Sequence, residues 1–357
     1  MTKWRGKPDA ALLAVAHTQI RRWYAAHGRR ELPWRSTDDP YAVYVSEIML
    51  QQTQVQTVLT RFYTPFLRGF PTLEALAAAP EEAVLSVWQG LGYYQRARNL
   101  HRAARQLVAQ AKGNACLPDS VEALMTLPGV GRNTAHAIAA LAFRQPVAVM
   151  EANVRRVVAR VFALATATDA VFFETAESLL DHNDPFTHNQ AMMDIGAMVC
   201  TAKAPACDQC PLSIVCQGKT SPECYPEKKV KSTVPVRRQA IIVFENGQGE
   251  WYLQPRETRL LGGLYGFIEQ TPGATLYFQN QCYRVEEMVA CGQVTHTYSH
   301  FRLETEVYYC QTNHPEGEGW FSQEQMNNLP LSTLDRKVIQ QLSTRNREST
   351  ISKCTIS

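Results

Sequence analysis

The chain has 357 residues, of which 45% are hydrophobic and 19% are charged. This length accommodates two domains of ordinary size, and the composition excludes an intrinsically disordered chain. No run of about 18 apolar residues occurs, so we expect no membrane-spanning helix. The first thirty residues are rich in arginine and lysine and lack an apolar signal-peptide core, which predicts a cytoplasmic protein.

The charge and the cysteine content exclude few classes of protein. The formal net charge is +3, and the whole excess lies in residues 1–216. That excess is too small to indicate nucleic-acid binding by itself, and a solvated basic face explains it equally well. Ten cysteines without a secretion signal argue against a disulfide framework.

Residues 1–216 are predicted to form an all-helical domain. Asp39-Pro40 is a typical helix start, with an N-cap acceptor followed by proline. The segment "FPTLEALAAAPEEAVLSVWQGLG" predicts two short helices, the second ending at Gly90 and Gly92. Further on, a tight turn at 128–131 is predicted to join two helices.

The composition changes after residue 216. Residues 217–238 are rich in proline and lysine and predict a linker. Residues 239–343 predict an α+β domain, with a hairpin at Asn246-Gly247, an alternating strand in "FRLETEVYYC" and a helix capped by Ser332. Residues 344–357 are predicted to be a loose tail.

The stretch "SEIMLQQTQV" places Glu47 on a helix that is otherwise apolar. Burial raises the pKa of a carboxyl group, as a general acid requires. The alternative is a glutamate on a solvated helix face. The glutamines that follow supply amide groups that can contact a base.

Two glycine-containing stretches are typical of contacts with nucleic acid. "GLGYYQRARN" interleaves Tyr93 and Tyr94 with arginines, which suits stacking on bases, although packing between helices is an alternative for the tyrosines. "LPGVGR" places Gly129 and Gly131 at a helix N-terminus, where backbone N–H groups can approach a phosphate. A plain turn between helices is the alternative for this second stretch.

Four cysteines lie within 17 residues, with the spacing Cys-x6-Cys-x2-Cys-x5-Cys: Cys200, Cys207, Cys210 and Cys216. Thiolates at such spacing bind zinc or an iron–sulfur cluster. Zinc sites usually contain two separate close pairs. Here one close pair is flanked by two outer cysteines, which favours a 4Fe–4S cluster.

In "VAVMEANVRRVVARV", Glu151 stands where a strand-like run becomes an amphipathic helix. An acid at such a junction can serve a site or only the helix. The alternative is an acid that only stabilises the helix N-terminus through the helix dipole.

Taken together, these motifs resemble the MutY-type adenine DNA glycosylases of the endonuclease III superfamily. "LPWR", "SEIMLQQTQV", "GLGYYQRARN", "LPGVGR", "NQAMMDIGAMVC" and the four-cysteine loop carry the resemblance over residues 15–216. "GLYGF" and "THTYSHF" extend it more loosely into the second domain. The resemblance implies a helix–hairpin–helix domain with a 4Fe–4S cluster, followed by a MutT-like, Nudix-fold domain.

The resemblance also implies an activity and a set of site residues. The expected reaction is hydrolytic removal of adenine mispaired with 8-oxoguanine or guanine, by a monomer acting on flipped-out adenine in double-stranded DNA. Glu47 would protonate adenine, and Glu151, with Asn153 beside it, would face the positive charge that develops on the sugar. The remaining expected substrate and DNA contacts of this domain are Trp34, Arg35, Gln52, Thr53, Tyr93, Gly129, Gly131 and Gln190, with Gln52 and Tyr93 as wedges in the duplex.

The chain departs from the family pattern at the second acid. The pattern is Asp-Gly-Asn-Val, whereas this chain has Glu151-Ala152-Asn153-Val154. An alternative function is therefore a lesion-binding relative with impaired catalysis. Asn133 occupies the position of the Schiff-base lysine in bifunctional relatives. Because asparagine cannot form an imine, the resemblance implies a monofunctional glycosylase.

In the second domain, Tyr298, Ser299 and His300 match the Phe-Ser-His turn with which the family reads 8-oxoguanine. Tyrosine keeps the aromatic ring, and the serine and histidine keep their donors. The acidic Nudix box is missing from this domain, so we expect no phosphohydrolase activity.

Overall fold

The computed structural model describes residues 9–227, 234–256, 261–279, 281–298, 300–312, 315 and 317–348. The chain divides into two compact units, Met1–Ala79 with Arg98–Val230 and Pro80–Ala97 with Lys231–Ser357. Residues 80–97, which the sequence suggested to be part of the helical domain, thus group with the second unit. The predicted linker at 217–238 falls partly on residues 228–233, which lie outside the described residues.

The described elements before residue 225 are helices, as the sequence predicted. They are α1 (Ala10–His27), α2 (Pro40–Leu50), α3 (Val55–Arg61), α4 (Tyr63–Gly69), α5 (Leu73–Ala78), α6 (Glu81–Val87), α7 (Gln95–Gln110), α8 (Val121–Leu124), α9 (Arg132–Ala142), α10 (Ala152–Val161), α11 (Asp169–Leu179) and α12 (Pro185–Asp194). A π-helical turn, Ile195–Val199, extends α12, and short 3₁₀ turns occupy Pro33–Arg35, Cys207–Gln209 and Pro222–Cys224.

Side-chain caps explain where several of these helices begin. The Asp39 carboxylate accepts a hydrogen bond from the backbone N–H of Tyr41, and Pro40 follows it as the first helical residue. Thr72, Ser120, Thr168 and Asp184 cap four other helices in the same way. The two helices predicted around the turn at 128–131 are α8 and α9.

The first unit is built around a core to which α1, α10, α11 and α12 contribute. Ile20, Val158, Leu179 and Ile195 are fully buried in it. Helix α2 packs on α9, and all residues from Tyr41 to Met49 are buried. Glu47 therefore lies on a helix without a solvated face, which excludes the alternative of a surface glutamate.

The second unit contains a mixed sheet. Its strands are β1 (Val236–Glu245), β2 (Trp251–Tyr252), β5 (Ile268–Gln270), β8 (Val289–Thr297), β9 (Arg302–Gln311) and β10 (Trp320–Phe321). Two short hairpins, β3 (Gln254–Pro255) with β4 (Tyr265–Gly266) and β6 (Thr275–Phe278) with β7 (Gln281–Arg284), accompany it. Helices α13 (Gln323–Asn328) and α14 (Thr333–Glu348) complete the unit.

The sheet order is β10–β2–β1–β9–β8, with β5 also paired to β1. Strands β1 and β9 run parallel over ten residue pairs, and the other pairs within the sheet are antiparallel. The hairpin predicted at Asn246-Gly247 joins β1 to β2, and β9 alternates between buried and more exposed residues as predicted. The predicted α+β architecture is confirmed.

Two apolar layers cover the two faces of this sheet. On one face, Leu334, Val338 and Leu342 of α14 pack with Ile241 and Val307. On the other face, the β6–β7 hairpin packs with β1. The Ser332 hydroxyl accepts from the Asp335 N–H and so caps α14, as the sequence predicted. Among the described residues, no helix combines the length and apolarity needed to cross a membrane.

Candidate active site

A cavity of about 480 Å³ in the first unit brings together seven of the predicted site residues. The seven are Trp34, Arg35, Glu47, Gln52, Thr53, Glu151 and Asn153. They come from the Pro33–Arg35 turn, from α2 and the loop after it, and from the start of α10. Asn133 at the start of α9 also lines the cavity. The volume falls in the range typical of small-ligand sites, roughly 300–1,000 Å³.

Glu47 is the buried acid of this cavity, with 4% of its surface exposed. Burial, followed by the nearby negative charge of Glu151, raises the pKa of Glu47 to about 8, against the opposing effect of Arg35. At neutral pH the carboxyl group is therefore mostly protonated. Glu47 is suited to donate a proton to a bound base.

Glu151 lies at the N-cap position of α10, but its side chain makes no capping hydrogen bond. The carboxylate lines the cavity instead. Burial raises the pKa of Glu151, while the positive charges of Arg35 and Arg29 act to lower it. Two arginines thus lower the pKa of Glu151 against the effect of burial, whereas only one arginine does so for Glu47. This asymmetry favours ionisation of Glu151 before Glu47.

The arginines are fixed by Asp194, which the sequence analysis did not single out. Asp194 is fully buried at the end of α12. Its Oδ2 accepts from Arg35 Nη1 at 2.7 Å and from the Arg29 backbone N–H at 2.9 Å. Its Oδ1 accepts from Arg35 Nη2 at 3.0 Å and from Arg29 Nε and Nη2 at 2.8 and 2.6 Å. An acid between Met193 and Ile195 in an apolar stretch was the sequence signal for this residue.

Gln190, predicted as part of the base pocket, does not line the cavity. It is buried, and its Oε1 accepts from the Tyr24 hydroxyl. The Tyr24 hydroxyl also interacts with Arg35. The structure therefore places Gln190 behind the cavity wall, in contact with the arginine cluster through Tyr24.

Asn153 connects the cavity to the four-cysteine loop. Its Oδ1 accepts from Arg156 Nη2 at 3.0 Å, and Arg156 Nε donates to the Cys200 carbonyl at 2.8 Å. One turn later on α10, Arg160 Nη1 lies 3.3 Å from the Cys200 Sγ atom and 2.7 Å from the Thr201 carbonyl. One helix thus holds both the second acid and the cysteine loop.

The four predicted cysteines line one cavity together with Arg160. Cys200 is buried and the other three are partly buried, and all four are free thiols. Among the described residues, no three His, Cys, Asp or Glu side chains converge closely enough to hold a single metal ion.

The turn at Gly129 and Gly131 has the backbone that the sequence suggested. Gly129 has a φ of +77°, and a Cβ atom there would lie 2.4 Å from the Asn99 side chain. Gly131, which precedes α9 as its N-cap, has open space where a Cβ would stand. The helix N-terminus is therefore open to a close approach by a phosphate.

The two predicted wedge residues share an unusual backbone conformation. Gln52 has a φ of +57° and Tyr93 a φ of +49°. Both values lie in the left-handed region, which residues other than glycine rarely adopt. Tyr93 is 47% exposed. Strained residues of this kind cluster at functional sites.

The second unit contains a separate cavity of about 260 Å³ lined by Tyr93, Tyr298 and His300. The Tyr298 ring packs against His296 and Phe301, and its backbone N–H donates to the Phe301 carbonyl. Burial raises the pKa of Tyr298 to about 12, so its hydroxyl keeps the proton. Ser299, the third predicted residue of this turn, lies outside the described residues.

The segment with Tyr93 belongs to the second unit through specific contacts. Gln89 Nε2 donates to the Leu329 carbonyl at 2.7 Å, and the Tyr94 hydroxyl donates to the Leu331 carbonyl at 3.3 Å. Tyr93 and the turn at Tyr298 thus lie in one compact unit.

Comparisons with known proteins agree with this architecture. Residues 45–182 match the family model described as HhH-GPD superfamily base excision DNA repair protein, and residues 240–341 match the NUDIX domain. The adenine DNA glycosylase of Homo sapiens is 32% identical over 409 residues, which cover 92% of this chain and 74% of that protein. The adenine DNA glycosylase of Mycobacterium tuberculosis (strain CDC 1551 / Oshkosh) is 42% identical over 204 residues, covering 56% and 66% of the two chains.

Solved structures match the helical part. A thermostable thymine-DNA glycosylase is 28% identical, with a TM-score of 0.54 over 59% of this chain and 99% of that chain. Endonuclease III in a non-covalent DNA complex shares the fold at 22% identity, with a TM-score of 0.50 over 59% of this chain and 95% of its own.

A helix–hairpin–helix glycosylase domain followed by a Nudix-like domain defines the class as a base-excision DNA repair protein of two domains. The identity to the human protein extends over both domains. The chain belongs to the family of adenine DNA glycosylases. The family that the motifs indicated, and the prediction of a hydrolytic N-glycosylase, are confirmed.

Proposed function

We propose that this chain hydrolyses the N-glycosidic bond of adenine in double-stranded DNA where adenine is opposite 8-oxoguanine or guanine. The observation that carries the proposal is the pair of carboxyl groups, Glu47 and Glu151, in one cavity beside Arg35. The relatives that match over most of the chain are adenine DNA glycosylases, which supports adenine as the base removed.

The two acids divide the chemistry. Adenine flips out of the duplex into the cavity, since its glycosidic bond is inaccessible in the base stack. Glu47 donates its proton to the adenine ring, which turns adenine into a better leaving group. As the bond between C1′ and the base nitrogen breaks, the sugar develops positive charge, which ionised Glu151 stabilises. Water then bonds to C1′, and its proton returns to Glu47.

The environment supports this division of roles. Burial raises the pKa of both acids, and the positive charges of Arg35 and Arg29 oppose this rise at Glu151, whereas only Arg35 opposes it at Glu47. Trp34 and Arg35 line the cavity where an adenine ring would lie, and Asn153 adjoins Glu151 on α10. Gln190 is proposed to act from behind the wall, through Tyr24 and Arg35.

Asn133 supports a monofunctional enzyme. It lines the same cavity as Glu47 and Glu151, so it lies within reach of the sugar site. An asparagine amide is not a nucleophile towards C1′ and cannot form a Schiff base. The proposed reaction therefore ends at the abasic site without strand cleavage.

Several described residues are suited to bind duplex DNA. The open helix N-terminus at Gly131 is suited to a phosphate, and Gln52 and Tyr93 are exposed in strained conformations suited to wedges. Thr53 lies next to Gln52 on the cavity rim. Phosphate contacts of this kind make binding weaken as the salt concentration rises. A monomer suffices, because one chain carries all the proposed sites.

The turn from Tyr298 to His300 is proposed to read 8-oxoguanine. Tyr298 and His300 line a cavity that also includes the wedge residue Tyr93. The Tyr298 hydroxyl is a stable donor because burial keeps its pKa high. Ser299 is included on the family resemblance alone.

Cys200, Cys207, Cys210 and Cys216 are proposed to hold a 4Fe–4S cluster. All four line one cavity, and their spacing, one close pair flanked by two outer cysteines, favours a cluster over zinc, whose sites usually contain two separate close pairs. Arg160 Nη1 donates to the Cys200 Sγ atom at 3.3 Å and so places positive charge beside this sulfur. When bound, the cluster would cross-link the loop, and Arg156 and Arg160 hold that loop against α10.

The test is single-turnover adenine release, with enzyme in excess, from duplexes containing A:8-oxoguanine, A:G or A:T. We expect fast release from the first, slower release from the second and none from the third. Glu47→Gln should release adenine from the first duplex about 10²- to 10⁴-fold more slowly than the native chain. Tight binding to the A:8-oxoguanine duplex without release would identify a lesion-binding protein. Equal activity on A:T would refute the proposed specificity.

A further inference from the structure

Two arginines that line the same cavity as the two glutamates are bonded to one buried aspartate. The side chains of Asp194 and Arg35 are 0% and 5% exposed, and that of Arg29 is 26% exposed. Arg29 and Arg35 each carry one positive charge, and Asp194, held by both, carries one negative charge. The cluster therefore presents a net charge of +1 to Glu47 and Glu151. Because burial penalises a net charge, a cluster charge of +1 favours one ionised glutamate and one protonated glutamate.

The geometry of Asp194 fits this function. Its carboxylate accepts five hydrogen bonds from the two arginines, and no part of it reaches solvent. It does not line the cavity and so does not contact a bound base. Any effect of Asp194 on the reaction must act through Arg29 and Arg35.

We propose that Asp194 is a positioning residue for base excision, an inference that rests on the proposed function. It holds both arginines at the cavity that the glutamates line and cancels one of the two positive charges. A single proton is thereby retained on the glutamate pair, where it resides on Glu47. Without that charge, the two arginines would favour ionisation of both glutamates, and the general acid would be lost at neutral pH.

Among the described residues, α1, α9 and α10 place further ionisable groups near the cavity, and each of these groups is neutral or has a partner of its own. Tyr24 of α1 interacts with Arg35 and is neutral, because burial raises its pKa. On α10, Arg156 donates to the Asn153 side chain and to the Cys200 and Gly196 carbonyls. On α9, Arg132 stacks on the Phe173 ring, and His136 bonds to the Ala148 carbonyl with its pKa lowered by burial.

The charge argument predicts opposite effects for two variants. Asp194→Asn keeps the size of the side chain and raises the net charge of the cluster from +1 to +2. The pKa of Glu47 should fall, and the alkaline limb of the rate profile should move to lower pH by at least one unit. Arg29→Gln reduces the charge to zero and leaves Asp194 bonded to Arg35. The same limb should then move to higher pH.

The experiment measures single-turnover adenine release from the A:8-oxoguanine duplex between pH 5 and pH 9.5 for the full chain. A matched control is Asp181→Asn, which removes a buried aspartate from an ion pair with Arg21 in the same unit. This control should not move the pH profile. At pH 8 we expect Asp194→Asn to be at least tenfold slower than at its own optimum.

A second readout separates this proposal from the proposed function. Glutamate labelled with ¹³C at the side-chain carboxyl, assigned through Glu47→Gln, reports the titration of Glu47 without any substrate. The native chain could release no adenine while the pKa of Glu47 still shifts in opposite directions in Asp194→Asn and Arg29→Gln. The proposed role of Asp194 would then be supported and the proposed substrate would be wrong. If the titration and the pH profile are unchanged in Arg29→Gln and in folded Asp194→Asn, Asp194 is only structural. Should Asp194→Asn not fold, Arg29→Gln alone decides.

Discussion

Replacing Glu47 with glutamine removes the proposed general acid while keeping the shape of the side chain. We expect adenine release to fall by about 10²- to 10⁴-fold, which is the usual contribution of a positioned acid. We also expect the variant to gain stability over the native protein as the pH rises. The reason is that the native fold must bury a carboxyl group that ionises in the unfolded chain.

The magnitude follows from the pKa of Glu47, which rises from an ordinary 4.5 to about 8. Because the folded pKa is the higher one, the contribution is fully present below pH 4.5 and is lost as the pH rises through 8. Between pH 5 and pH 9 the native protein therefore loses about 4 kcal/mol that Glu47→Gln retains. The same shift keeps roughly nine-tenths of Glu47 protonated at pH 7, an enrichment of about 300-fold over an ordinary glutamate.

The assay is urea denaturation followed by far-ultraviolet circular dichroism at pH 5, 7 and 9, with the midpoints of variant and native protein compared at each pH. Glu174→Gln on α11 is the control, because Glu174 is exposed. The stability gap between Glu47→Gln and the native protein should widen with pH, whereas the control should follow the native protein. A constant gap across this range would refute the assignment of a buried, protonated Glu47.

Three further outcomes are expected. Glu151→Asp should slow adenine release by about 10²-fold, because the carboxylate retracts by about an ångström from the sugar site; faster release would show that this backbone is not adapted to glutamate. Tyr298→Ala should reduce the ratio of release rates for A:8-oxoguanine over A:G while leaving the A:G rate within about threefold, and an unchanged ratio would remove Tyr298 from lesion reading. Cys210→Ser should lower the iron and sulfide content and the visible absorption of the purified protein, whereas Cys282→Ser, outside the four-cysteine loop, should not; equal iron in both would contradict the proposed ligand set.

Local sequence was sufficient to predict much of the secondary structure. Helix starts such as Asp39-Pro40, the hairpin at Asn246-Gly247 and the alternation in β9 depend on contacts between near neighbours, so the residues themselves determine them. The spacing of the four cysteines and the motifs around Glu47 and Glu151 likewise identified the family before any geometry was known.

The assignment of Pro80–Ala97 to the second unit was not predictable in this way. It depends on hydrogen bonds from Gln89 and Tyr94 to the Leu329 and Leu331 carbonyls, about 240 residues further along the chain. Backbone carbonyls give no signal in the sequence, so residues 80–97 looked like any other helical segment.

What the sequence determined about the site is the presence of two acids; what the tertiary structure decided is their charge. A glutamate on an apolar helix becomes a proton donor only when packing removes it from water, and α2 is buried along almost its whole length. Asp194 meets Arg35 from 159 residues away, and no local pattern encodes that contact. Because electrostatic energy depends on distance and burial and not on order along the chain, the ionisation of Glu47 and Glu151 follows only from the folded protein.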